Sequence, residues 1–260
     1  MVFMARRWQL MMRHDGTDAP WRLLFIYYVE SSFFGLFLPS AIGGDVFRGL
    51  QVHRQMGGAR RTGVNLFTER LIGTWSVCLL GAAGLAFFPL EELSISRAVI
   101  VTYGVIIAVT LMLLSQRAQG LVNSALTRLG LKRAVAIHDV TMAQFRNYLA
   151  APRLLAELFL ISLLQQFAII ISTWYVGLAA GIDLGLAFYM MAMPIIWLAS
   201  LIPAIGGTGP REGSFAYLLI AAGAGRDAAV AAAGLLLAIT IARGLIGGLV
   251  ALRRLFHSSA

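Results

Sequence analysis

The sequence predicts an all-α polytopic membrane protein with about six apolar blocks and two Pro/Gly-broken re-entrant segments in a pseudo-inverted arrangement. Three observations carry this. The 260 residues are 59% hydrophobic and only 13% charged, whereas a soluble domain is nearer half apolar and a quarter charged. The apolar residues gather in runs close to the ~20 needed to cross hydrocarbon, without the period-two alternation of a membrane β-barrel. Finally, two distant stretches, "LPSAIGGDVFRG" (38–49) and "IPAIGGTGPREG" (202–213), interrupt apolar sequence in the same way.

The blocks follow in order. Residues 1–20 read as an N-terminal cytoplasmic segment, because their apolar stretches are short and interrupted and do not make a signal peptide. Residues 21–255 form the transmembrane domain. Its first block, 21–44, contains Glu30 and ends at the first break. Block 64–88 carries Glu69 and Arg70 near its start, and 98–115 is the third. A long basic link, 116–153, shows apolar residues at helical spacing; an amphipathic surface helix and a plain helical hairpin both fit it. Block 154–181 carries Glu157 near its boundary. Block 184–207 ends at the second break and continues as 214–225, and the last block, 228–252, carries Arg243. Residues 256–260 are a tail. The Gly/Ala-rich run 221–234 suits close helix packing.

Charge sets orientation. The net charge is +9 and Lys132 is the only lysine. The basic residues lie mainly in short links, so orientation and anionic lipid explain them better than nucleic acid does. Links 46–61 and 116–153 and the Arg253–Arg254 tail are basic. Link 89–97 holds Glu91 and Glu92, and 181–183 holds Asp183. The positive-inside rule then places the basic links and the C-terminus in the cytoplasm. Parity requires that each broken segment enter and return on one face, the two from opposite faces, as in many transporters.

The breaks are where chemistry is expected. Irregular backbone is tolerated in a membrane only where protein buries it or it lines a wet cavity. Gly209, Pro210 and Glu212 suit the N-cap, first and third positions of a helix. Gly44 and Asp45 begin a similar start, with Arg48 one turn on. Helix N-termini and arginines both suit phosphate. Two readings stay open: a cradle for an anionic headgroup, or a structural network in which Asp45 and Glu212 satisfy the helix ends. Ionisable groups inside membranes favour function by default. Glu69 and Arg70 are adjacent on a helix and do not face one another, so Glu69 is expected to pair with Arg48 or Arg211, and Arg70 with Asp45 or Glu212. Glu30 and Arg243 are a further possible pair. The four histidines lack ligand spacing, the single Cys78 lies in an apolar run, and no metal or other cofactor is expected. The tryptophans are explained by interfacial belts or core packing.

At these residues the sequence resembles a known family. "LPSAIGGDVFR", then "ERLIG", then "IPAIGGTGPREG", in that order and spacing, is similar to the transmembrane region of lysylphosphatidylglycerol synthases and related flippase-like membrane proteins. The likeness covers roughly 20–255. It implies a lipid flippase-like fold, with Gly43, Gly44, Asp45, Arg48, Glu69, Arg70, Gly206, Gly207, Gly209 and Glu212 as motif positions. Arg211 is added from the charge reading, because the family usually carries a small apolar residue where Pro210–Arg211 stand. The family usually carries further membrane helices ahead of the first break, so the chain reads as a short member or one with a mis-assigned start, and a missing helix would leave that flank uncovered. The synthases add an aminoacyl-transfer domain; none is expected here, and the chain is read as a non-enzyme. Carboxylate-assisted hydrolysis by Glu69 or Glu212 is the one enzymatic reading left.

The expectation is an inner-membrane, multi-pass flippase-like protein. It would move or bind a phospholipid or polyprenyl-linked lipid, with arginines on the phosphate and Asp45, Glu69 and Glu212 on a cationic group or coupling proton. The alternative is a non-transporting membrane partner that binds lipid and assists a separate glycosyl- or aminoacyl-transferase.

Overall fold

The computed structural model describes residues 1–38, 43–56, 59–87, 93–202, 204 and 209–258. Every secondary-structure element among them is a helix: α1 (Val2–His14), α2 (Trp21–Phe34), α3 (Gly43–Met56), α4 (Ala59–Leu85), α5 (Leu93–Leu114), α6 (Gln116–Arg128), α7 (Lys132–Leu149), α8 (Pro152–Ala179), α9 (Leu186–Ala199), α10 (Pro210–Ala221) and α11 (Arg226–Ser258). Two are long and apolar enough to cross a membrane, Pro152–Ala179 and Arg226–Arg254. The bent pair Val101–Met112 and Gln116–Arg128 makes a third if counted as one span. This is an all-α membrane protein.

The N-terminal segment differs from the sequence reading. It is a helix packed inside the bundle, not a flanking segment. Ala5, Trp8 and Met12 recur at helical spacing and are buried with Leu24, Tyr27 and Tyr28 of α2 and Val52 of α3. They pack against the two helices that border the first break. At the other end, α11 runs through Ser258, and its apolar span ends at Arg254.

The helices fall into two sets of four, α1–α4 and α8–α11, related by their packing partners. Within each set neighbours pack in order: α1 on α2, α2 on α3 and α3 on α4; α8 on α9, α9 on α10 and α10 on α11. The first helix of each set also packs on its last. Between the sets, α4 packs on α9 and α11 packs on α2, while α1 meets α8. Each long helix that follows a break therefore lies against the short helix that precedes the other break, although α4 also packs on α8 without α11–α1 packing of matching extent among the described residues.

Glycine permits both of these crossings. A Cβ on Gly84 would come within 2.7 Å of the Ala187 carbonyl, and one on Gly81 within 2.5 Å of Pro194, both on α9. A Cβ on Gly247 would come within 2.2 Å of the Val29 carbonyl, and one on Gly244 within 2.3 Å of Leu36. The close packing expected at 221–234 is made by its alanines and not by its glycines. Gly225 and Gly234 have open space around them, and it is Ala229, Ala232 and Ala233 that enter the core. Cys78 packs at the edge of the same core.

The breaks are built differently. At the first, the start of α3 touches the end of α2: a Cβ on Gly44 would lie 2.8 Å from the Ser31 carbonyl. At the second, Gly209 caps α10 with φ +97°, a conformation L side chains rarely adopt, and Pro210 takes the first helical position. Gly206 and Gly207 lie outside the described residues. The 116–153 link is a helical hairpin, α6 packed on α7 through a turn at Gly130 (φ +70°).

Candidate functional site

Glu69 on α4 is the centre of a buried ionic cluster. Its Oε1 accepts from Arg7 Nη2 at 2.6 Å and from the Tyr28 hydroxyl at 2.5 Å, and its Oε2 accepts from Arg48 Nη2 at 2.7 Å. Asp45, in the first turn of α3, accepts from Arg48 Nε (3.1 Å) and Nη2 (2.9 Å) with Oδ1, and from Arg70 Nε (2.8 Å) and Nη2 with Oδ2. Arg7 Nη1 also donates to Ser162 Oγ of α8 at 2.5 Å. Helices α1, α2, α3, α4 and α8 thus converge on one network.

The spacing explains the convergence. Asp45 and Arg48 are three apart on α3 and share a face. Glu69 and Arg70 are adjacent on α4 and diverge, so each finds partners on another helix. Of the pairings expected from sequence, Glu69–Arg48 and Arg70–Asp45 form; those of Glu69 with Arg211 and Arg70 with Glu212 do not.

Aromatic rings close the cluster. The Arg48 guanidinium lies 4.0 Å from the Tyr28 ring centre and 4.9 Å from that of Trp8, and Arg70 lies 5.3 Å from that of Trp197 on α9. Arginine stacks well on such faces. Trp8 and Trp197 therefore hold the arginines and are not merely belt or filler. Trp197 is itself oriented by a hydrogen bond to Thr74 (2.9 Å).

The charge in this cluster is unequal. Among the described residues, the ion pairs of Arg7, Arg48 and Arg70 are made with Asp45 and Glu69, three cations to two anions. Arg48 is 2% exposed, and its Nη1, like Nε of Arg7, has no hydrogen-bond partner among the described residues. A buried guanidinium with an unmet donor is costly unless something anionic meets it.

The charges at the start of α10 are met differently, and Arg243 of α11 stands near Arg211. Glu212 Oε2 accepts the Gly209 backbone N–H at 2.7 Å, the half of a capping box that a glycine cap permits. Its Oε1 accepts from Arg211 Nε at 2.9 Å, and Arg211 Nη2 reaches Thr240 of α11 at 2.8 Å. First-turn side chains lean toward the helix N-terminus, which lets these sequence neighbours meet. Here the carboxylate does satisfy the helix end, as the structural-network reading expected. One turn on from Glu212, Phe215 is buried where α3 has Arg48 after Asp45.

Three sequence-level candidates fall outside the cluster. Glu30 is buried and pairs with Arg254 at 3.3 Å, not with Arg243; Arg254 also reaches the Tyr27 hydroxyl at 3.3 Å. The Arg243 carbonyl instead accepts from Ser32 Oγ at 3.2 Å. Glu157 is exposed on α8. Sequence reasoning missed Arg7, Trp8 and Tyr28. The signal for the first two was present in the Ala5–Trp8–Met12 period, which turns Arg7 toward α4 and α8. Tyr28 sits in a uniformly apolar run and carries no such signal.

Among known families, the model described as the lysylphosphatidylglycerol synthase TM region matches residues 1–248. No curated protein and no solved structure matches the chain.

Proposed function

The chain belongs to the lysylphosphatidylglycerol synthase transmembrane-region family, and from that membership we propose that it handles lipid as a flippase-like transporter, binding a phosphate-bearing headgroup at the α1–α4 cluster. The observation that carries the proposal is the buried Arg48, with an open Nη1 in a cluster of three arginines and two carboxylates.

Each group has a role in this reading. Glu69 and the rings of Trp8 and Tyr28 hold Arg48 in one orientation, so little order is lost when an anion arrives. A phosphate oxygen takes the open Nη1, a charge-assisted bond roughly twice as strong as a neutral one. Arg70 is part-exposed and stacked on α9, so it meets the headgroup first and links it to the second set of helices. Asp45, between Arg48 and Arg70, accepts from a cationic headgroup group. In the α8–α11 set Glu212 is engaged by its own helix end and by Arg211, so the phosphate is assigned to the first set. Rocking of the two sets about their α4–α9 and α2–α11 contacts exposes the cluster to either face.

Lipids that remain with the purified protein test the binding step. Mass spectrometry is expected to find phosphate-bearing anionic lipid enriched over the surrounding membrane, and the enrichment lost in Arg48→Gln. Lipid of bulk composition on the unaltered protein removes the proposal.

A further inference from the structure

The α6–α7 hairpin takes no part in the ionic cluster, yet it concentrates charge. Arg117, Arg128, Lys132, Arg133 and Arg146 stand there against Asp139 alone, and none of the five has an ion pair among the described residues. Exposed leucines lie among them: Leu121, Leu129 (72% exposed) and Leu131. On α6, Arg117, Leu121 and Arg128 follow one helical stripe, and the helix buries no residue. At the turn, Arg128, Leu129, Leu131, Lys132 and Arg133 crowd around Gly130.

The base of the hairpin is held firmly. Met142, Phe145 and Tyr148 are buried on α7, with Phe145 against Phe67 and Trp75 of α4. The Tyr148 hydroxyl lies 2.9 Å from Asp15 Oδ2 and 2.7 Å from Asn65 Oδ1. Burial first, and then the Asp15 carboxylate, push that phenol above the ordinary tyrosine range, so it stays a donor. The tip is therefore carried on a fixed arm and is not a loose loop.

Its direction follows from α5. That helix is an apolar stretch of 22 residues, and α6 turns 80° from the axis of Val101–Met112. Taking α5 as the crossing helix, in place of α5 and α6 as one bent span, lays α6 along the bilayer surface. A helix there with basic residues flanking exposed leucines has the chemistry of an interfacial anchor, and basic residues near anionic headgroups are attracted within about a Debye length.

We propose that the α6–α7 hairpin is a membrane-surface anchor whose tip, Arg128 to Arg133, docks on anionic lipid headgroups and seats Leu129 and Leu131 below them. This stands apart from the headgroup-handling reading, which rests on other residues. The test places an environment-sensitive fluorophore on Leu129→Cys in a Cys78→Ala background, reconstituted in nanodiscs. Phosphatidylcholine discs are compared with discs that also hold phosphatidylglycerol. The label is expected to report an apolar environment, and quenching by lipids brominated on the acyl chain, only in the anionic discs. Raised salt, and the triple change Arg128→Gln, Lys132→Gln, Arg133→Gln, are each expected to abolish that response. Water-like emission in both discs, as for a tip that serves a soluble partner, overturns the proposal, as does equal burial of the label in both.

Discussion

Glu69 shows how much one residue can hold. Both of its oxygens are engaged, by two arginines and a tyrosine from three other helices. Removing one partner of a buried pair leaves an uncompensated charge and costs about 3–5 kcal/mol. Glu69→Gln is therefore expected to lower the detergent-solubilised unfolding midpoint by an amount of that order. Tyr28→Phe removes only one hydrogen bond to a charged group, about 1.5–3 kcal/mol, and leaves the Arg48 stacking face in place. Equal midpoints for wild type and Glu69→Gln contradict the cluster. The acids and most of the arginines of this network were legible in the sequence, because ionisable groups beside broken apolar segments are conspicuous. Arg7 was not, because the interrupted apolar pattern of residues 1–20 concealed a helix whose buried face emerges only against α2 and α8.

Among the elements, the two helix crossings decide the architecture. A Cβ at Gly247 meets the α2 backbone itself, which has no flexible end to move aside. Gly247→Ala is expected to destabilise by about 1–3 kcal/mol, the usual cost of overpacking. Gly234→Ala, on the same helix with open space around it, is expected to stabilise by up to about 1 kcal/mol through helix propensity. Thermal unfolding of the two variants side by side checks the contrast, and a tolerated Gly247→Ala speaks against the α2–α11 approach. Composition pointed to 221–234 for close packing because glycine and alanine are dense there. Which glycines face a partner depends on how the sets cross, and that cannot be read from density. The breaks were legible for a different reason: a glycine cap before proline, and a paired glycine before an acid, are local signals that need no partner.

For the whole molecule, two similar breaks share one bundle and are chemically unlike. The first break faces three arginines; the second is capped by its own Glu212 and carries Phe215 where the first has Arg48. The sequence left an anionic cradle and a structural network open at each break, and Glu212 is found capping its own helix end. The central claim is that the first set binds and moves an anionic headgroup, and translocation measures it most directly. The protein is reconstituted in vesicles holding phosphatidylglycerol or phosphatidylcholine with the same fluorescent acyl chain, and an impermeant reductant reports how fast inner-leaflet probe reaches the outside. The account predicts faster translocation of phosphatidylglycerol than of phosphatidylcholine, and loss of that preference in Arg48→Gln that elutes as the wild type does. Rates no higher than in protein-free vesicles, or an unchanged preference in natively eluting Arg48→Gln, contradict it.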